Sequence, residues 1–600
     1  MNGRSPHWAK KLSLGLVTAA VFAVGLLLAV ELGLRLFGYG HAPGFWRIEK
    51  SADGRRWIRE NPWVTAPFFA PELVRRPQPF RLPERKPEDA YRVFVLGSSA
   101  AMGDPEPSFS MARLLETMLR AAYPKIHFEV VNAAVTAINS HVVRGIAEDC
   151  AKLQPDLFVV YEGNNEVIGP FGPATVFTPV LRKPAAIRAA VFLRGLRTGQ
   201  ALTQLARRSS EQRELADWGG MQMFLNHQIA AGDPRLDSTV SLFEDNLRAI
   251  SKAGRSAGAT VLLATVLTNQ KDFSPFASGH RTGLSPDIEA EFDRAEARGD
   301  AAANGKNWAE AERAYRAALG ADGEYAETHF RLGRVFEAER RFTDAKTEFQ
   351  QALDLDLLRF RTDSRLNEAI RRVALSTGDG VELVDLVKAG EAESPGGILG
   401  DELLYEHVHL SFRGAYIVAR ELFRAATEDL KRRGRITPTE AVAEPMSMDE
   451  LRLRLAFTTY EQAMITKELL ARFRRPPFTG QSSNPRRIAV FAQRDARAAE
   501  LLALPESRQA ISAIYEQALA ANPGDWVLAR NYGLALAANG QGAKAKPELL
   551  RALNVIPDDS DTLFGLILAH RQLGETDEME KRIRELRRIE PRYPGLETLK

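Results

Sequence analysis

The sequence predicts an α/β fold built on a parallel sheet, split by a helical-repeat insertion, followed by an all-α array and preceded by one membrane-crossing helix. Three observations predict it. Between Tyr91 and Gln270, apolar runs of strand length alternate with helical stretches, an order that places helices on both faces of a parallel sheet. Small and aromatic residues recur at a 34-residue spacing, Ala311, Tyr315 and Ala318 against Ala345, Phe349 and Ala352, and again Ala518 against Ala552. That is the period of stacked helical hairpins. Finally, Leu12 to Val30 carries no charge at all.

The uncharged run, "LSLGLVTAAVFAVGLLLAV", is 19 residues long, enough for a helix to cross a hydrocarbon core of about 30 Å. Arg4, Lys10 and Lys11 precede it, so the positive-inside rule leaves a cytoplasmic tip and puts everything after Glu31 outside, in a periplasmic or extracellular space. A cleaved signal peptide is the competing reading. The run is long for such a core, and "VELGLRLFGYG" continues amphipathically without a small-residue cleavage site, which favours an uncleaved anchor over residues 1–37.

Residues 38–90 are rich in Pro, Arg and aromatics without a sustained period and read as a spacer that folds onto something else. The α/β unit starts at Tyr91. "YRVFVLGSSAAMG" reads as strand, tight turn and helix start, "IHFEVVNAAVTA" and "PDLFVVYEGNNE" repeat the strand-then-loop form, and "HVVRGIAEDCAKLQ" is the helix between them. His127, in an apolar strand, reads as structural, and His141 as a surface or core residue. The stretch from Phe171 to Leu205 reads as a lid, a membrane-surface helix or, by default, a packing helix. The first part of the unit runs over 91–290, the repeats occupy 291–356, and "RTDSRLNEAIRRVALSTGDGVELVDLV" resumes the α/β pattern over 357–432. Pro523, Pro557 and Pro591, each 34 residues from the next, mark a second array within 433–600. "FRRPPFTGQSSNPRR", Phe473 to Arg487, reads as a hinge or ordered loop.

Composition bounds the function. Six hundred residues exceed one core. A net charge of +3, from 80 basic against 77 acidic residues, gives no global footprint for nucleic acid. Cys150 is the only cysteine, so neither an internal disulfide nor a cysteine-based zinc site is available.

Open α/β sheets bind ligands at the carboxyl ends of their strands. There "GSS" follows the first strand, "NAAVTAINS" the second and "EGNNE" the third, while "YEHVHLS" lies far downstream. In that order the four blocks resemble those of the SGNH (GDSL-like) hydrolase family, over about Tyr91 to Gln270 and Arg361 to Leu430, and the repeats resemble tetratricopeptide (TPR) hairpins. The resemblance implies a flavodoxin-like three-layer fold. Gly97-Ser98-Ser99 stands where the family has Gly-Asp-Ser, making Ser99 the candidate nucleophile with Ser98 a departure, and Gly103 keeps the trailing glycine. Ala137 stands at the oxyanion glycine. Gly163-Asn164-Asn165-Glu166 matches Gly-x-Asn-Asp, which makes Asn165 the side-chain oxyanion donor. Glu406-His407-Val408-His409 matches Asp-x-x-His, which makes His409 the base, Glu406 its orienting carboxylate, and leaves His407 pointing elsewhere.

These residue types suit acyl transfer. A serine hydroxyl needs an imidazole to take its proton and a carboxylate to hold the other ring nitrogen. The N–H groups of Ser99 and Ala137 and the amide of Asn165 are the candidate oxyanion hole. No cofactor is required. The H-x-H pair as a metal site needs further ligands that the sequence does not supply at suitable spacing. The reading is therefore an anchored, periplasmic SGNH-type esterase acting on an acyl ester of a carbohydrate or lipid through an acyl-serine, with repeats that bind a protein partner or restrict access. Transfer of the acyl group to a sugar hydroxyl and a non-catalytic TPR scaffold on a retained hydrolase fold are the alternatives.

Overall fold

The computed structural model describes residues 7–51, 54–209, 219–440 and 443–599; Arg4, expected in a cytoplasmic tip, lies outside them. Helix α1 (His7–Leu36) contains the apolar run, and its segment Gly15–Leu36 is long and apolar enough to cross a membrane. The helix is longer than the uncharged stretch at both ends, because a helix continues through flanking polar residues as long as its backbone bonds are made.

The expected spacer does have regular structure. Strands β1 (Trp46–Lys50), β2 (Arg56–Glu60) and β3 (Arg81–Pro83) form a three-stranded antiparallel sheet. Arg59, almost wholly buried in β2, pairs with Glu60 at 2.9 Å and with Asp558 of the C-terminal array at 2.5 Å. This small sheet is thus a bracket between the α/β unit and the distant helices.

Five strands form the central sheet: β4 (Ala90–Gly97), β5 (His127–Asn132), β6 (Leu157–Tyr161), β7 (Thr260–Ala264) and β8 (Val381–Val384). All neighbours are parallel, in the order β5-β4-β6-β7-β8. β4, β6 and β7 are buried along their whole length, as continuous apolar runs covered on both faces must be. The chain leaves β4 for β5 on one side and returns to β6 on the other, so the loops diverge beyond the end of β4. That is the switch point at which such sheets open a crevice.

Helices α4 (Ser140–Cys150), α7 (Arg235–Ser256) and α12 (Ser364–Thr377) pack side by side on one face. Helices α3 (Met111–Ala122), α13 (Leu386–Ala392) and α14 (Phe412–Arg432) pack together on the other. The short helix α2 (Ser99–Met102) lies between β4 and α3, and α5 (Pro184–Gly195) with α6 (Arg197–Ser209) forms a hairpin beside α1. Cys150 is buried and unpaired, whereas His127 sits half-exposed at the start of the edge strand β5.

Between β7 and β8 the chain inserts two helical hairpins, α8 (Pro286–Asn304) with α9 (Trp308–Ala321) and α10 (Ala326–Ala338) with α11 (Phe342–Leu355). Tyr315 and Phe349 are buried against Gly299 and Gly333, a second pair 34 residues apart. A Cβ on either glycine would fall 2.5 Å and 2.8 Å from the facing ring, so the small residue sets how closely the helices cross. Buried Arg361 and Asp356, paired at 2.8 Å, fix the root of the insertion, and Asp356 also accepts from the N–H groups of Phe276 and Ala277.

The remainder is helical: α15 (Met448–Arg454), α16 (Thr459–Phe473), α17 (Asn484–Ala503), α18 (Pro505–Ala521), α19 (Trp526–Ala538), α20 (Gly542–Val555), α21 (Ser560–Leu573) and α22 (Thr576–Ile589). Pro523 and Pro557 stand in the turns α18–α19 and α20–α21, and Pro591 comes just after α22. The break at Phe473–Arg487 is an ordered loop only as far as Ser483, after which α17 begins with Pro485 in its first turn, where proline's missing N–H costs no helical bond.

Candidate active site

Ser99 is delivered by the end of β4. Gly97 closes the strand at φ 158°, and a Cβ there would lie 2.1 Å from the carbonyl oxygen of Tyr161 on β6, so only glycine allows the two strands to approach at this turn. Ser99 is the first residue of α2 and is half-buried. Its N–H therefore belongs to the donors that a helix start leaves without an intrahelical partner.

The segment carrying the two histidines folds back on itself. Leu404 bridges Leu410, the N–H of Tyr405 donates to the carbonyl of His409 at 2.8 Å, and that of Ser411 donates to Leu403 at 2.9 Å. Ser411 then caps α14, its hydroxyl accepting from the N–H of Gly414 at 3.1 Å. Gly414 permits this packing, since a Cβ would meet the Leu403 carbonyl oxygen at 2.0 Å. Glu406 is held by its own turn, accepting from the N–H of His409 at 2.7 Å and of Val408 at 3.3 Å.

In this arrangement His409 Nε2 lies 2.8 Å from Ser99 Oγ, and His409 Nδ1 lies 2.7 Å from Glu406 Oε1. The second carboxylate oxygen abuts Nδ1 of His407. Neither Nδ1 makes a hydrogen bond of good geometry, so both are close approaches of the carboxylate to the rings rather than straight hydrogen bonds. His407 does not face Ser99; its ring packs among Phe273, Phe276, Phe360 and Phe478 at centroid distances of 5.6, 5.2, 6.4 and 6.0 Å.

Burial alone would raise the Glu406 carboxyl, but the two imidazoles hold it well below the usual carboxylate range. Burial would lower His409; Glu406 and Asp104 outweigh it and raise the imidazole above its ordinary value. For His407 burial wins and the pKa falls, despite the same carboxylate. One Glu thus serves two rings of opposite tendency. His409 has Asp104 as a second carboxylate neighbour, whereas His407 is lowered further by His409 and Arg361.

The loops after β5 and β6 are tied to each other and to β4. The N–H of Val135 donates to the Gly97 carbonyl at 3.2 Å, and Asn165 Nδ2 donates to the Ile138 carbonyl at 2.8 Å. The Asn165 amide has a second N–H in addition to this one. Ala137 adopts φ 60°, the left-handed region in which a glycine is unstrained and an alanine is not. Asn164 Oδ1 accepts from the N–H and hydroxyl of Thr362 at 3.1 and 2.7 Å, which points that amide into the protein rather than toward Ser99. Glu166 Oε1 and Oε2 accept from the N–H and hydroxyl of Ser140 at 2.8 and 2.7 Å. Burial raises Glu166 to about 7, and burial with the Glu166 charge raises Glu162 well above its ordinary value. Ser98 is buried, and its hydroxyl works against the rise of Glu162, which follows the end of β6. His141, at the start of α4, bonds Asn246 at 2.9 Å, and burial and then Arg144 lower it to about 4. It is half-buried.

Two groups at the site carried no sequence signal. Asp104 Oδ2 lies 3.4 Å from His409 Nε2, the nitrogen that also faces Ser99. Arg472, on α16, grips Asp104 with both guanidinium nitrogens, Nη1 on Oδ2 and Nη2 on Oδ1 at 3.0 Å. This fork is the strong, planar form of a charge-assisted pair. Burial would raise Asp104, yet Arg472 and His409 hold it below the usual range. Arg75, also near Asp104, is lowered to about 10 by burial against the pull of that carboxylate.

Glu406, His407 and His409 place three potential metal-ligand atoms within 4.8 Å of one another. Their contacts are already mutual, each carboxylate oxygen facing one Nδ1, with the remaining nitrogen of His409 facing Ser99.

No protein-family model matches the chain, and no curated protein matches it. Among solved structures it is similar to an acetyl xylan esterase, AlAXEase, at 12% identity over 56% of this chain and 98% of that one, with a TM-score of 0.26. It is also similar to YrrB, described as a TPR protein with an unusual peptide-binding site, at 10% identity over 52% and 95% of the two chains and a TM-score of 0.16. The yeast Tom70 structure shares 12% identity over 61% and 70%, with a TM-score of 0.16. These likenesses are too weak to say what the chain does, and the functional reading rests on the geometry of the site.

Proposed function

We propose that this chain is a serine esterase of SGNH type, anchored by α1 with its bulk in the periplasm, that cleaves an acyl ester of a carbohydrate or lipid through an acyl-serine on Ser99. The observation that carries the reading is the 2.8 Å contact of Ser99 Oγ with His409 Nε2, with Glu406 on the other ring nitrogen at 2.7 Å. In this reading His409 takes the Ser99 proton as Oγ attacks the ester carbon, and Glu406 fixes the tautomer and stabilises the imidazolium. The N–H groups of Ser99 and Ala137 and the amide of Asn165 receive the oxyanion; each such donor typically contributes about 2.7–4 kcal/mol to the transition state. His409 then protonates the departing alcohol oxygen and, in the second half, takes a proton from water. Asp104 stabilises the same imidazolium from the Nε2 side, a role supported by its 3.4 Å distance. The inserted and C-terminal hairpins bind a protein partner or restrict access to the site.

Hydrolysis of p-nitrophenyl acetate by the full chain in detergent tests this. Wild type is expected to release nitrophenolate and Ser99→Ala to fall by about 10³-fold or more. Equal rates in the two would remove Ser99 from the chemistry. Adding an oligosaccharide acceptor separates hydrolysis from transfer, because only transfer yields an acylated sugar.

A further inference from the structure

The α5–α6 hairpin leaves several large apolar side chains facing outward. On α5, Ile187 is buried and Ala190 and Val191 pack against the core, but Phe192 and Leu193 are 67% and 57% exposed; on α6, Leu202 and Leu205 are 61% and 59% exposed. The groups of α6 that do engage the protein are polar. Gln200 bonds both the N–H and the carbonyl of His41 at 2.9 Å, and Gln204 accepts from the Tyr39 hydroxyl at 2.5 Å. A surface helix ordinarily buries its large apolar residues and wets its polar ones, which α6 does not.

The hairpin's position explains its outward apolar side chains. Glu31, the first residue after the uncharged run, accepts from the N–H groups of Arg197 and Thr198 at 3.1 and 2.8 Å and from the Thr198 hydroxyl at 2.9 Å. The first turn of α6 is therefore fastened to α1 where the apolar stretch ends. Leu36 and Phe37, 78% and 92% exposed, extend the same apolar level. Charge is one-sided as well: residues 167–210 contain seven Arg or Lys and no Asp or Glu. Exposed apolar side chains interleaved with cations alone suit the acyl–headgroup boundary of an anionic bilayer. They do not suit a soluble protein surface, where contiguous apolar patches are rare.

We propose that α5 and α6 lie in the headgroup region of the bilayer that α1 enters, with Phe192, Leu193, Leu202 and Leu205 among the acyl chains and the Arg and Lys residues of 182–197 on anionic lipid. The proposal rests on α1 being a membrane anchor, and on nothing about catalysis. Its effect is to tie the body to the membrane at two places instead of one, fixing its orientation to the surface.

The test uses full-length protein in vesicles of phosphatidylcholine with phosphatidylglycerol. With buried Cys150 changed to Ser, single spin-labelled cysteines replace Phe192, Leu202 and Leu205, with Val21 on α1 as lipid reference and Val490 on α17, 38% exposed, as water reference. Labels at 192, 202 and 205 are expected to be broadened by oxygen and shielded from a water-soluble nickel complex, like Val21, and to lose part of that shielding in pure phosphatidylcholine. If they behave like Val490 while Val21 stays lipid-like, the hairpin proposal is overturned and the anchor stands. If Val21 is also water-accessible, the anchor falls and the proposal with it. Shielding accompanied by dipolar broadening that disappears on dilution with unlabelled protein would identify a second copy on this face, and would overturn the proposal too.

Discussion

At the residue scale, the site turns on which of two histidines meets the serine. The sequence distinguishes them by interval, Glu406 lying three residues before His409 and one before His407, and by the "HLSFRG" segment that His409 opens. The folded segment makes that interval physical, since a carboxylate that accepts the N–H of the residue three on brings that residue's ring alongside itself. Asp104 was not legible, because it reaches His409 only through the turn that ends α2, and Arg472 comes from 368 residues further along the chain. The Asp104 contact gives a pH prediction. A general base works when neutral, and His409 is raised above the ordinary imidazole value, so the acid limb of kcat/KM is expected to lie above that value. Asp104→Asn removes a charge that favours the protonated ring and is expected to move the limb to lower pH. An unmoved limb in the variant's pH profile would remove Asp104 from the site.

At the element scale, the central strands were legible because β4, β6 and β7 are buried on both faces and so read as unbroken apolar runs. The bracket sheet was not: β2 is Arg-Trp-Ile-Arg-Glu, and its arginine is buried only because Glu60 and Asp558 meet it. The α5–α6 hairpin was legible in part: Ile187, Ala190 and Val191 pack against the core as a packing helix would, while Phe192, Leu193, Leu202 and Leu205 face outward. Ala137 tests the loop after β5. Its φ of 60° costs an L-residue about 1–2 kcal/mol, so Ala137→Gly is expected to recover part of that, less the entropy glycine adds to the unfolded chain. Denaturant titration measures it, and a loss of about 1 kcal/mol instead would mean that the methyl group packs.

At the scale of the whole molecule, the C-terminal helices are not an appendage. They hold the bracket through Asp558, α3 through the 2.6 Å pair of Asp525 with Arg113, the insertion's neighbourhood through Arg487 and Asp401 at 3.1 Å, and the site through Arg472. The 34-residue period announced the helices, but their docking depends on single charged residues that no period reveals. Arg472→Gln is expected to cost about 1.5–3 kcal/mol of stability, the usual worth of a charged hydrogen bond. Because Arg472 opposes protonation of His409, the same change should move the acid limb to higher pH, opposite to Asp104→Asn. Shifts in the same direction would break this wiring. The central claim, an activated Ser99, is tested most directly by reacting the full chain with a fluorophosphonate and locating the adduct by peptide mass spectrometry. One adduct is expected, on Ser99, lost in His409→Ala as well as in Ser99→Ala. An unlabelled wild type, or an adduct on another residue that survives both substitutions, would contradict that claim.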